Sequence, residues 1–535
     1  MNRIMRWSLL SLFVLLGPTG VRVASAQTVS ALSCSSTDVQ TALNSVNADG
    51  TTVLLPSCSS TWTSAVTYNQ AFSTTIQGQS TTSGTCAPGG TCTPTDNTTI
   101  ALNSTGHGLL NITTRAGKSF RLTGITFTMP SSAAASYGQI NVSGGSTAVR
   151  IDHCHFDDQV NGDHTLQLDG WNGVVDHNVF DSSNQSNLFF IQPTNMGSDG
   201  TGNAIWAQPD SFGTSKFIYA ENNLFQNGTF VFDANYGGRL AFRFNIVGTN
   251  SRIQTHGAGS AAPRRSGRTV ELYGNTFTFA TNPSSSNYFA FLVDLEGGTG
   301  MEWGNTITGF GTFIREDTVR TNNATYSQQA TPNGFGYCSA SLIAGILGPS
   351  SWDGNQPGQA GYPCLDNVGR GQGDLLAAAG NGVFPVTNTT TGTITWPHQA
   401  LSPHYAFANV FNTVQNITPH YWQNFDSVTV ENRDYYLQLP NFNESATFNG
   451  TAGIGQGPLA SMPSACTPAV GWWATDQGSW NTSGNGIGNG VLYVCTAPNS
   501  WTPYYTPYSY PNPLITGTQT SEAPAAPSDL AATVN

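Results

Sequence analysis

The sequence predicts an all-β fold, a right-handed parallel β-helix, on three observations. Seven segments align without gaps on one short pattern, a column of Asn occupies its middle, and an apolar column follows two residues later. The segments span 120–127, 149–156, 173–180, 218–225, 240–247, 270–277 and 300–307. The first column runs Ile125, Cys154, Asn178, Asn223, Asn245, Asn275 and Asn305. The second runs Phe127, Phe156, Phe180, Phe225, Val247, Phe277 and Ile307. Each segment reads as a strand, a tight bend at the Asn, and a second strand. Asn tolerates a left-handed bend, and its amide can hydrogen-bond to its neighbours in adjacent coils. Stacked coils of roughly 22–30 residues bury one continuous column, the signature of a solenoid. A β-sandwich predicts no recurring bend position. Glu302, at an otherwise apolar position, is the repeat's one clear defect.

The remaining elements follow in chain order. Arg3 and Arg6, an apolar run over 8–16, and Ala24-Ser25-Ala26 form a signal peptide over 1–26, which predicts a secreted or cell-surface protein. The run is too short to span a bilayer, and no membrane span is expected later. A short capping helix is expected over 38–47, then strands at 52–55 and 74–78. A third strand per coil is expected at 140–142, 166–168, 189–191, 230–232, 253–255 and 291–295. The loop after it varies in length and is long at 193–215 and 257–267. Long loops on one side of a solenoid usually border its binding face. The β-helix domain with its cap thus spans 27–320. Residues 321–515 form a loop-rich, aromatic C-terminal region, in which the glycine-rich stretch 369–373 reads as turn. The stretch 516–535 reads as a disordered tail.

Composition bounds the function. Only 9% of residues are charged, but 38% are hydrophobic and 11% aromatic, so the chain can bury a large core. A net charge of −12 argues against nucleic acid as a partner. An anionic polysaccharide stays open, provided that a local Arg patch or a bridging cation meets it. Nine cysteines in an exported chain suggest disulfides, with Cys34/Cys58, Cys86/Cys92, Cys338/Cys364 and Cys466/Cys495 as close pairs. Cys154, inside the repeat, is expected as a buried free thiol. No CxxC, GxSxG, HExxH or P-loop is present.

Two outward columns collect polar residues. The first comprises Thr123, Asp152, Asp176, Glu221, Arg243, Tyr273 and Trp303. Coils stack about 4.8 Å apart, so its carboxylates form a ladder that reads either as a Ca²⁺ site or as a structural row neutralised by Arg243, Arg150, His153 and His177. The second comprises Ser143, Asp169, Gln192, Asp233, His256 and Glu296, beside a loop that carries Arg264, Arg265 and Arg268. Charge gathered there, in a charge-poor chain, suggests a ligand with carboxylates. The alternative is a solvated edge with casual ion pairs.

The coils resemble the pectate-lyase-like superfamily of right-handed parallel β-helices over roughly residues 30–320. Residues 149–156 (VRIDHCHF) look like that family's vWiDH segment, and 262–277 (APRRSGRTVELYGNTF) look like its Pro/Arg segment followed by an Asn bend. The resemblance implies a polysaccharide lyase acting on a uronic-acid polymer. It also implies Asp169 and Asp233 as Ca²⁺ ligands and Arg264 or Arg265 as the base, with His256 competing for that role. It favours the second column, because the family's vWiDH segment lies away from its calcium site. The sequence departs at Ala261, where the family has Arg. Trp171, Glu296, Arg268, Arg243 and Tyr273 are candidate substrate-binding residues. A glycoside hydrolase using two of Asp169, Asp233 and Glu296 is one alternative. A non-catalytic glycan-binding surface or matrix protein, stacking sugar on Trp171, Tyr273 and Trp303, is the other.

Overall fold

A computed structural model describes residues 27–517 apart from 104–107, 131–137, 159–163, 171, 183–188, 196–201, 228–229, 249–251, 257–264, 280–290, 318–365, 374–385, 388–393, 396–398, 413–419, 425–428, 442–444 and 485–487. The chain winds as a parallel β-helix with three long faces, sheets of 12, 10 and 10 strands among the described residues. Every neighbouring pair within these sheets runs parallel, and strands from successive coils lie side by side, as in Arg239–Arg243 beside Thr269–Tyr273. The helix Ser36–Asn44 stands at the N-terminal end, capped where the Ser35 side chain accepts from the Asp38 amide. Its Val39, Ala42 and Leu43 close the core.

The aligned segments stack in the expected register. Thr123, Asp152, Asp176, Glu221, Arg243, Tyr273 and Trp303 are successive partners on the first sheet. The apolar column points inward, with the rings of Phe127, Phe156, Phe180 and Phe225 stacked at centroid distances of 5.8, 4.7 and 4.7 Å. Inside the bend, Asn178, Asn223, Asn245, Asn275 and Asn305 form a buried ladder, each Nδ2 donating to the next Oδ1 at 2.9–3.1 Å. The same Oδ1 atoms accept the preceding Asn amide at 2.9–3.1 Å, so the ladder pairs backbone amide and side chain together.

The left-handed residue of the bend is not the Asn. It is the residue before it, at Gly124, His153, His177, Asn222, Phe244, Gly274 and Gly304, with φ between 52° and 69°. The Asn side chain turns inward and bridges coils, while its neighbour absorbs the backbone turn.

The solenoid also outlasts the expected boundary near 320. Strands His404–Phe407, Val410–Asn412 and His420–Asn424 add a further coil, with Asn409 accepting from Asn305 at 2.9 Å and Phe411 beside Ile307. Residues 404–411 (HYAFANVF) carry the repeat's Asn and Phe at the same spacing. Glu302 is a compensated defect: it lies buried and meets Nδ1 of His404, in that added coil, at 3.0 Å. Arg370–Gly373, expected as turn, is a strand antiparallel to Gln399–Leu401.

Cys34–Cys58, Cys86–Cys92 and Cys466–Cys495 are disulfides, and Cys154 is a buried free thiol. The pair Cys338/Cys364 and the peptide 1–26 lie outside the described residues. Disulfides persist in oxidising compartments, which is compatible with export. Among the described residues no helix is long and apolar enough to cross a membrane.

Candidate active site on the third sheet

The two outward columns have different fates. On the first sheet the carboxylates are consumed by arginines. Arg121 and Arg150 donate through Nε and Nη2 to Asp152 and Asp176 at 2.6–2.9 Å, and Arg243 donates to Glu221 at 2.6 Å. His153 and His177 add a contact of 2.7 Å to Asp152 and Asp176. Burial pushes Asp152 up, but the bonds from Arg121 and His153 outweigh it and hold the carboxyl below its usual range. The ladder is a row of ion pairs, the structural alternative posed by the sequence.

Its C-terminal half is covered. Trp473, Trp480, Tyr505 and Tyr510 pack against Phe244, Tyr273, Trp303 and Phe407. Arg243 donates to the carbonyls of Tyr508 and Ser509 at 2.7 and 2.8 Å, and the Asn512 amide donates to Glu221 at 2.8 Å. Arg243 and Tyr273 are fully buried. They therefore do not contact substrate as expected; Tyr273 is packing, and Arg243 anchors the C-terminal segment.

The third sheet carries a second group of charged residues, in a register that corrects the expected column. Asn141, Gln167, Gln192, Asp233, Gln254, Asp294 and Arg315 form one row. Asp169 pairs with Thr194, two residues on, in the row that also holds His256 and Glu296. The strand Phe189–Thr194 runs three residues past the expected end at 191, and the pairing slips between Phe230 and Phe232. Asp169 and Asp233 therefore stand in different rows.

The centre of this face is His256. Its Nδ1 lies 3.2 Å from Asp233, whose other oxygen faces Nε2 of His164 at 3.7 Å. Asp233 is buried, whereas the His256 side chain is 40% exposed. Burial opposes the charge on His256, but Asp233 and Glu296 win and raise its pKa to about 10. Burial likewise works against the Asp233 charge, and the two histidines overcome it, keeping Asp233 well below the usual carboxylate range. These contacts favour the imidazolium form of His256 and weigh against its expected role as a base.

One coil further, Gln254 Nε2 donates to Glu296 at 2.5 Å, and Arg252 reaches Gln254 at 2.8 Å and Asp294 at 3.4 Å. Burial and the neighbouring Glu296 raise Asp294 to about 8, against the pull of Arg252 and Arg315. Asp294 and Glu296 share a face of one strand, and like charges that close favour one proton held by the pair. Asp294, Arg252, Gln254 and His164 were missed in the sequence. The alternation over 252–255 and 291–295 marks all but His164 as outward polar positions.

The arginines of the Pro/Arg segment are spent elsewhere. Arg265 is fully buried, ion-paired with Asp366 and lying over the Trp206 ring at 5.2 Å. Arg268, also fully buried, reaches Asp210 at 2.5 Å and covers the same ring at 4.9 Å. Neither is presented to a substrate, because the segments 203–210 and 366–373 fold over them. Arg264 and Trp171 lie outside the described residues.

The described residues around Asp233 do not fit calcium. The atoms directed at Asp233 are nitrogens of His256, His164, Gln192 and Asn235, whereas Ca²⁺ takes about six to eight oxygens. Asp169 accepts from Thr194 at 3.0 Å in the next row. Among the described residues no group of three His, Cys, Asp or Glu is placed to hold a metal.

No family model and no curated protein matches this sequence. Among solved structures it is similar to the alginate lyase from Paenibacillus sp. str. FPU-7, at 14% identity and a TM-score of 0.28, over 55% of this chain and 99% of that one. Likeness at that level says nothing about chemistry.

Proposed function

We propose that the protein is a secreted polysaccharide lyase, that it binds a uronic-acid polymer on the outer face of the third sheet, and that it cleaves by β-elimination. One observation carries the reading: a partly exposed histidine, His256, paired with Asp233, stands beside two carboxyl groups, Asp294 and Glu296. Elimination removes the proton next to the uronate carboxylate, so the carboxylate must be neutralised as the enolate develops. His256 serves that role through its own charge, with Asp233 fixing the orientation of the ring. Glu296 takes the carbon-bound proton, and Asp294 returns one to the departing glycosidic oxygen. Carboxyl groups whose environments push them apart are assigned in this way to base and acid.

Hydrolysis is the second reading, favoured by Asp294 and Asp233. They stand two coils apart in one row, about 10 Å at the backbone, near the separation of inverting enzymes, about 6.5–9.5 Å between carboxyls.

Incubation of the full-length protein with a panel of uronate polymers and neutral glycans separates the two. Elimination gives new ultraviolet absorbance from the unsaturated end, unaffected by chelator. Reducing ends without absorbance give hydrolysis instead, and neither product on any polymer removes the enzyme reading.

A further inference from the structure

The first sheet is sealed only in its C-terminal half. The helix Pro513–Thr516 lies against the strand Gly173–Asp176, and beside and before that strand Gln77, Arg121, His153 and His177 still reach solvent. Arg121 and Arg150 are neighbours across one strand pair. At the adjoining bend the rings of His153 and His177 stack, with centroids 5.3 Å apart and planes 3° from parallel.

Two carboxylates gather these four groups from behind. Arg121 and His153 both bind Asp152, Arg150 and His177 both bind Asp176, and Arg150 Nε also lies 3.5 Å from Asp152. The side chains of Asp152 and Asp176 are 0% exposed, against 42% for Arg121, 39% for His153, 30% for His177 and 15% for Arg150. Donors therefore form the outer layer and acceptors the inner one. The arginines bind inward through Nε and Nη2 and the histidines through Nδ1; among the described residues Nη1 of both arginines and Nε2 of both histidines have no partner. An imidazole whose Nδ1–H faces a carboxylate takes up its second proton at Nε2, so protonation adds two outward donors. Burial works against that charge on His177, but Asp176 outweighs it and raises the pKa; Glu221 on the next coil helps and Arg150 opposes. Across the bend, Asp96 is held by His155 at 3.0 Å. The hairpin over 81–95, which touches His177 through Thr82, has no charged side chain.

We propose that Arg121, Arg150, His153 and His177 form a second, non-catalytic binding site for the uronate polymer, taking its carboxylates on neighbouring coils. The proposal rests on the polymer class of the lyase reading and not on its chemistry. Guanidinium and imidazolium N–H groups on coils about 4.8 Å apart present a row of charge-assisted donors, which carboxylates accept. A chain of net charge −12 repels a polyanion over most of its surface, and this cluster draws it in.

The test is affinity electrophoresis of the full-length protein, run in the cold, in gels containing polygalacturonate, alginate or neutral dextran. Retardation relative to the dextran gel at the same pH reads binding whether or not product forms. It is expected in at least one uronate gel, and more strongly at about pH 5.5 than at about pH 8.5, on either side of the ordinary imidazole range. The double variant His153→Asn/His177→Asn removes both charges at a bend position that Asn222 already occupies in the next coil. It raises the apparent Kd roughly tenfold and flattens the pH dependence, while product formation on short uronides stays unchanged. Lys216→Gln, a charge removed at an exposed position elsewhere, is retained like the parent. Absence of product on every polymer bears on the lyase reading alone, because retention is read without turnover. Should the double variant not fold, the pH dependence of the parent decides. Equal retardation at the two pH values overturns the proposal, and so does no retardation in either uronate gel or a folded double variant retained like the parent.

Discussion

The outer faces of the first and third sheets are built from the same coils, yet they treat charge in opposite ways. On the first, each carboxylate of Asp152, Asp176 and Glu221 has its own arginine, and aromatic residues from the C-terminal region seal the second half. On the third, Asp233 is satisfied by a histidine that stays partly open to solvent and not by an arginine, and burial with the neighbouring Glu296 pushes the Asp294 carboxyl up. A solenoid makes straight rows on every face by construction. The row itself is therefore no mark of a site; what distinguishes one is charge that the fold leaves partly unused.

The contrast can be broken most sharply at Glu296. Glu296→Gln is expected to cut kcat/KM on a uronate polymer by about 10²–10⁴-fold, with little change in denaturation midpoint. The reverse pattern is expected for Arg243→Ala. It strands Glu221 in a dry environment and frees the 508–512 segment, at a cost of about 3–5 kcal/mol in urea denaturation, while the folded fraction keeps its activity. Asn245→Ala interrupts the inner ladder and leaves the Asn223 backbone amide unmet, for about 1–3 kcal/mol; amide exchange at Asn223 should rise with it. The smallest effect is a pH slope. Asp294 is raised from 3.8 to about 8, so the folded state holds a proton that the unfolded chain releases. Stability from this group then falls as pH rises between those values. His256, raised from 6.5 to about 10, loses its contribution between those two values, overlapping the upper part of the Asp294 range. Urea titrations at pH 5 and pH 9 should differ less in Asp294→Asn than in the parent.

Much of the fold was legible because the bend carries a marker. Asn at one position and Phe two later fix register on the first and second sheets, and so the ladder from Asp152 to Arg243 could be read before any coordinates. The third sheet has no such marker. Its register depends on where Phe189–Thr194 ends and on the slip at Phe230, neither of which leaves a trace in residue type. Residues 404–411 were overlooked although they carry the pattern, because almost a hundred residues separate them from the preceding repeat. Burial was the hardest property to infer. Arg243 and Tyr273 point outward from their strands, and Arg265 and Arg268 stand on the loop before the strand Thr269–Tyr273, as expected; distant segments then cover all four. Outward direction is a local property; exposure depends on the whole chain.

The most direct test concerns His256. The account predicts that His256→Ala, folded and melting within a few degrees of the parent, forms unsaturated product at least about a hundredfold more slowly. An undiminished rate in that folded variant would show that the third-sheet face is not where the polymer is cleaved.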